Sequence, residues 1–402
     1  MTSSEFRPGP TSSRGKSLTL AVFIDALGAE VAERHGFLEG HLETRARVDT
    51  VLGYSCTCVP TILTGRLPEE HGHFSFFRFD PERSPFRGLE WLRFMPKAVT
   101  SRARVRGAIS KVVGSYLGFN GYFNLYNVPF ERLPYLDYTE RKDLYEPGGI
   151  IEGQETLFDR MRSERISFAL ADWRADEASN VEALGRAIRS REVDFAYLYL
   201  ARLDGIMHAA GPSDEAAAAH IRGYEQTILR MVDLALKNYD QVRLHVFSDH
   251  GMTPIRETVD IRSRIDALGL TFGRDYGAVY DSTMARFWYL REGVQSRIES
   301  ALRHVAQGRW FEAQQQKLAG CHFEDARYGH GMFLLNPGVL LCPSDMGERP
   351  IAGMHGYHPA DADSTAFFGS TETIAPPRRL DGLHDLLLGS ARENSALRSE
   401  AA

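Results

Sequence analysis

The sequence predicts an α/β fold, a mostly parallel β-sheet flanked by helices on both faces. Three observations carry this. Apolar runs of strand length alternate with longer amphipathic stretches along the 402 residues. The runs are apolar throughout rather than at every second position, as in strands covered on both sides. Several of them end at an aspartate with a glycine close behind, where open α/β sheets place their ligands.

Residues 1–16 are polar, rich in Ser, Pro and Gly, and read as a flexible tail. Residues 18–24 predict a buried strand ending at Asp25, with Ala26-Leu27-Gly28 after it. Residues 29–37 can form a helix. Residues 59–63 are a short helical run, preceded by Gly53-Tyr54-Ser55-Cys56-Thr57 and closed by Thr64-Gly65. Residues 166–170 predict a strand, and 176–191 a helix whose acidic start suits the helix dipole. Residues 195–200 predict a strand ending near Asp204, with His208 four residues on, so one helical turn would point both the same way. Pro212 and Ser213-Asp214-Glu215 open a long amphipathic helix over 213–239. The strand 243–247 ends at Ser248-Asp249-His250-Gly251. These elements form one core domain over 17–389, followed by a C-terminal tail at 390–402.

Two stretches interrupt the pattern. Residues 74–150 are rich in aromatic side chains and carry Lys97, Arg102, Arg104, Arg106 and Lys111, and read as an insertion or cap. Its aromatics are expected to form its own small core. The alternative is a greasy, positively charged rim for a substrate with a lipid-like or aromatic group beside a phosphate. A second accessory region, 260–345, has a strand at 284–290 and a helix at 294–303.

With 53 acidic against 47 basic residues, the chain has no global field favouring nucleic acid. Cys56 and Cys58 are too close for an ordinary bridge, and no second Cys-x-x-Cys pair completes a zinc ribbon with Cys321 and Cys342. Free thiols fit a reducing compartment. The first residues lack the apolar core of a secretory signal, and no run is long enough to span a bilayer. A soluble cytoplasmic protein is therefore expected.

An Asp-His pair at a strand end is more often a solvated turn than a metal site. Here the pattern recurs: Asp25, Asp204 with His208, Asp249-His250, and His355 in Gly353-Met354-His355-Gly356-Tyr357-His358-Pro359. Ser55, just before a helix, adds a hydroxyl. Its bland reading is a helix cap.

These segments occur in the order of the alkaline phosphatase superfamily, and the chain most closely resembles its nucleotide pyrophosphatase/phosphodiesterase branch. That order is Asp25, Ser55, Thr64-Gly65, Pro68-Glu69-Glu70-His71-Gly72, Asp204 with His208, Asp249-His250-Gly251 and His355-Gly356-Tyr357. The family's nucleophile lies nine residues before the Thr of Thr-Gly, which selects Ser55, with Thr57 as the alternative.

The resemblance implies an alkaline phosphatase-like fold and two divalent metal ions. Asp204, His208 and His355 would hold the first. Asp25, Asp249, His250 and Ser55 would hold the second. Mixed nitrogen and oxygen donors suit Zn²⁺ and tolerate Mn²⁺ or Fe²⁺. It further implies hydrolysis of a small-molecule phosphate ester through a covalent phosphoseryl intermediate.

The sequence departs from the branch in two places. Phe76 stands where an Asn is usual, with Ser75 or His73 as substitutes, and the nucleophile is Ser rather than Thr. Both leave diester and monoester open. A sulfatase pattern fails in register. A phosphoryl transferase on the same site, or a non-catalytic metal-binding homologue, are the remaining readings.

Overall fold

The structure, a computed structural model, describes residues 16–95 and 102–401, so Lys97 lies outside the described residues. A six-stranded sheet forms the centre. Its strands are β1 (Ser17–Ile24), β2 (Thr44–Val48), β3 (Phe168–Leu170), β4 (Phe195–Leu200), β5 (Gln241–Phe247) and, late in the chain, β10 (Ala366–Ser370), in the order β2-β10-β5-β1-β4-β3. β1, β3, β4 and β5 are parallel, and β10 runs antiparallel between β5 and β2. Ile24 pairs with Leu200 and Phe23 with Phe247, so three strands finish level and their following residues emerge at one edge.

Alternation along β1 explains the continuous apolar run. Leu18, Leu20, Val22 and Ile24 face one core with Leu198, Leu244 and Val246. Ala21 and Phe23 face the other with Tyr197 and Phe247. Helices α1 (Ala29–Arg34), α4 (Glu177–Ser190), α5 (Arg202–Ala210) and α6 (Glu215–Leu236) cover the first face. Helices α2 (Ser55–Thr64) and α7 (Gly382–Ala401) cover the second. Asp176 and Asp214, within the predicted helices, are their N-caps, accepting from the Ser179 and Ala216 amides.

Residues 390–401 of the expected tail are instead part of α7. Ala391 and Asn394 are buried, and the Asn394 amide donates to Thr19 Oγ1 and Asp194 O, each at 2.9 Å. Leu383, Leu387 and Ala391 recur at four-residue spacing and give this segment an apolar face.

The insertion pairs Phe77–Phe79 with Leu136–Tyr138 and carries helix α3 (Ala103–Tyr116). Phe77, Phe86, Leu125, Leu133 and Tyr138 form its own core, closed by Val279 and Trp288 of the second sheet. That sheet is antiparallel: β6 (Tyr276–Tyr280), β7 (Met284–Tyr289), β8 (Gly308–Trp310) and β9 (Gly331–Leu335), in the order β6-β7-β9-β8. Arg286 on β7 is fully buried. It binds Asp281, Ser75 Oγ and Phe77 O, each at 2.8 Å, and so ties the insertion to the second sheet. Among the described residues no helix is long and apolar enough to cross a membrane.

Candidate active site

The loops after β1 and β5 approach backbone to backbone. A Cβ on Gly28 would lie 2.4 Å from Gly251 Cα, so only glycine allows it. The contact brings Asp25 beside Asp249 and His250. Ser55 is the first residue of α2, where the Ser55 and Cys56 amides have no carbonyl four residues back to bond, and the helix dipole favours an anion. The turn at Gly356, φ +90°, presses on the Tyr54 ring and holds His355 near the start of α2. Asp204 and His208 share one face of α5, His208 Nε2 lying 3.2 Å from Asp204 Oδ1.

All seven sequence-selected residues thus meet at one edge of the sheet. Asp25, Asp249 and His250 present donor atoms within 4.8 Å of one another, and so do Asp204, His250 and His355. His250 therefore belongs to both groups, and His208 stands beside the second rather than in it. The His250 and His355 rings stack at 3.7 Å. Ser55 Oγ lies 3.0 Å from His250 Nε2. Thr57, the alternative hydroxyl, is fully buried and donates to Phe74 O at 2.6 Å.

This donor set fits divalent cations. Asp25 Oδ1, Asp204 Oδ1, Asp249 Oδ2 and His355 Nδ1 are buried with no hydrogen-bond partner, although imidazoles stand within ion-pair range of the three carboxylate oxygens. Buried charge without such partners ordinarily coordinates metal. His208 Nδ1 lies 2.8 Å from Gly353 O and His250 Nδ1 3.0 Å from Gly251 O. A carbonyl can only accept, so each Nδ1 donates, and each Nε2 is turned to the carboxylates as in metal-binding histidines.

The charges show the same demand. Burial, then Asp249 and Asp204, pushes the Asp25 carboxyl well above the carboxylate range. Burial opposes protonation of His250, but Asp249, Asp25 and Asp204 outweigh it and push the imidazole up to about 9. Burial, then His250 and His208, holds His355 well below its ordinary value. These acids draw positive charge toward the site, which a divalent ion bound there would supply.

Sequence reasoning missed several contributors. Tyr199 donates to Asp25 Oδ2 at 2.7 Å, and Thr50 Oγ1 donates to Asp249 O at 2.8 Å. Tyr199 is the second tyrosine of β4, one residue before its end, which was the available signal. Both proposed substitutes for Asn are engaged elsewhere, His73 through one ring nitrogen only. Ser75 Oγ is engaged by Asp281 and Arg286, and His73 Nε2 accepts from the Ile151 amide. The Pro68–His71 helix is structural, with His71 bonded to Thr61 of α2 at 3.0 Å.

A cavity of about 550 Å³ opens above Ser55, Asp204 and His355. Phe76, Tyr122 and Tyr126 of the insertion line it, with Trp173 and the buried Glu140. Among the described residues no lysine or arginine lines the cavity, and its added charges are acidic, so the positively charged rim is not found there. The basic residues of α3 lie elsewhere.

Residues 44–358 match the family of type I phosphodiesterases / nucleotide pyrophosphatases, a span that begins after Asp25. No curated protein matches the chain in sequence. Among solved structures, human ectonucleotide pyrophosphatase/phosphodiesterase 5 is similar at 14% identity and TM-score 0.66, covering 93% of this chain and 95% of that one. The murine protein gives 15% and 0.65 over 93% and 95%. An inactive form of the murine protein in complex with AMP gives the same identity and score over 94% and 95%. At such identity these likenesses speak to the fold, which is alkaline phosphatase-like. The family match reaches further, over most of the chain and six of the seven site residues: the chain belongs to the type I phosphodiesterase / nucleotide pyrophosphatase family of phosphodiester hydrolases.

Proposed function

We propose that the chain hydrolyses a small phosphodiester in two steps, with Ser55 as nucleophile. One observation carries this: Ser55 Oγ stands at a helix start, 3.0 Å from His250, beside unpaired buried carboxylate oxygens and at the base of an open cavity. Asp25, Asp249, His250 and Ser55 would hold one divalent ion, and Asp204, His208 and His355 a second. Zn²⁺ suits these donors. Such ions, when bound, neutralise phosphoryl oxygens and ease ionisation of a hydroxyl.

Ser55 Oγ loses its proton to solvent and attacks phosphorus in line, and the leaving alkoxide departs opposite to it and takes a proton from water. The ester is then a phosphoseryl group, which water cleaves to restore the hydroxyl. The Ser55 and Cys56 amides receive a phosphoryl oxygen at the α2 N-terminus. Tyr199 fixes Asp25, and Gly251 and Gly353 carbonyls fix His250 and His208. The cavity favours a diester over a monoester, since it houses a second substituent.

The test is turnover of bis(p-nitrophenyl) phosphate against p-nitrophenyl phosphate with Zn²⁺ or Mn²⁺ supplied. The diester is the better substrate, and Ser55→Ala loses at least about a thousandfold in kcat. Activity retained in Ser55→Ala but lost in Thr57→Ala would reassign the nucleophile.

A further inference from the structure

We propose that the insertion carries a docking face whose partner is the surface of an anionic lipid bilayer. The face is separate from the cavity, since none of its residues lines it, and it does not depend on the reaction assigned to Ser55.

Charge marks the segment first. From Trp91 to Phe130 the sequence has no acidic residue and six basic ones, in a chain whose net charge is -6. Arg93, Arg102, Arg104 and Lys111 are exposed, and no described carboxylate pairs with them.

Apolar side chains mark it second. Trp91 is 58% exposed, Phe94 75%, Val112 69% and Tyr116 77%. They are four of the ten exposed large apolar residues among those described, so such exposure is concentrated here. The short helical stretch Arg87–Phe94 sends Leu89 and Leu92 into the core of the insertion, and α3 sends Val113 there. Each element thus buries one side and turns the other to solvent. On α3, Val112 and Tyr116 stand one turn apart on the outer side, with Lys111 next to them. Arg93 lies over the Phe94 ring at 4.8 Å.

A bilayer surface suits this combination. Tryptophan, tyrosine and phenylalanine rings settle at headgroup depth, while lysine and arginine beside them reach anionic phosphates. Two other occupants fit less well. A polynucleotide would take the charges and stack on the rings, but offers Val112 nothing. A second copy across a two-fold axis would set these positive charges against themselves.

The test is co-sedimentation of the full chain with vesicles of phosphatidylcholine, alone or mixed equally with phosphatidylglycerol. The mixed vesicles should bind at least about tenfold more tightly, and high salt should weaken them. Arg102→Glu with Lys111→Glu should remove about tenfold or more of that affinity. Phe94→Ser with Tyr116→Ser should remove at least about fivefold. All four positions are exposed, so the thermal midpoint of each variant should match the wild type. No binding to mixed vesicles overturns the proposal, as does binding unchanged in either double variant. Sedimentation velocity and titration with a single-stranded oligonucleotide separate the other occupants. A dimer lost in Phe94→Ser with Tyr116→Ser would reassign the face to a second copy. An oligonucleotide bound more tightly than mixed vesicles would reassign it to nucleic acid.

Discussion

Asp281 and Asp249 are equally buried aspartates of one protein, yet they do opposite things. Asp281 receives the Arg286 guanidinium on one oxygen and the Ser75 hydroxyl on the other, and Arg286 spends its remaining protons on Phe77 O and Ser75. That cluster is closed and holds the insertion against the second sheet. Asp249 and its neighbour Asp25 share one imidazole and keep unpaired oxygens. That cluster is open. Burial alone does not mark a functional carboxylate; what marks it is burial without enough positive charge.

Substitutions can break this contrast. The largest effect belongs to the open cluster: Asp249→Ala loses at least about a hundredfold in kcat and also loses bound metal on elemental analysis. Unchanged metal content would place Asp249 with Asp281 as a structural group. Next comes the closed cluster. Asp281→Asn strands the buried Arg286 charge and costs about 3 kcal/mol in urea unfolding, with or without chelator. Asp25→Asn sharpens the comparison because its sign reverses. It relieves a crowded negative site, so the chelated protein gains about 1 kcal/mol, whereas the metal-loaded protein is weakened. A loss in chelator would show that Asp25 is satisfied after all.

The smallest effect concerns Glu140. Burial, then Asp143, pushes its carboxyl up to about 8. Its titratable neighbours are Asp143, Cys56, Tyr122 and Tyr138, none of them cationic. The folded state therefore keeps a proton that the unfolded state releases in the ordinary carboxylate range. Stability falls as pH rises from that range to about 8, then levels. Urea unfolding across this window checks it, since Glu140→Gln removes the titrating group and should flatten the profile. A wild-type profile as flat as that of the variant would show that Glu140 holds no such proton.

Much of this was readable beforehand, for physical reasons. β1, β4 and β5 are buried on both faces, so continuous apolar runs announce them. The site residues sit at their ends or on the next turn, so local patterns point to them too. β2 and β10 were not legible: β10 is five residues long and β2 reads Thr-Arg-Ala-Arg-Val, partly exposed at the sheet edge. Glu140 was not legible either. Its raised carboxyl comes from burial and Asp143, and Arg141 and Lys142 beside it in sequence give no hint of either. That Thr57 turns its hydroxyl to Phe74 O, while Ser55 faces His250, is also a product of the fold and not of any local pattern.

The last helix has a practical meaning for anyone shortening this chain. Asn394 is a clasp between the two ends of the polypeptide, bridging Thr19 on the strand that delivers Asp25 and Asp194 just ahead of β4. A chain stopped at residue 389 would keep every reactive group and still lose that clasp, baring the apolar flank under Ala391. Such a truncated enzyme would fail through loosened scaffolding, and its inactivity would say nothing about catalysis.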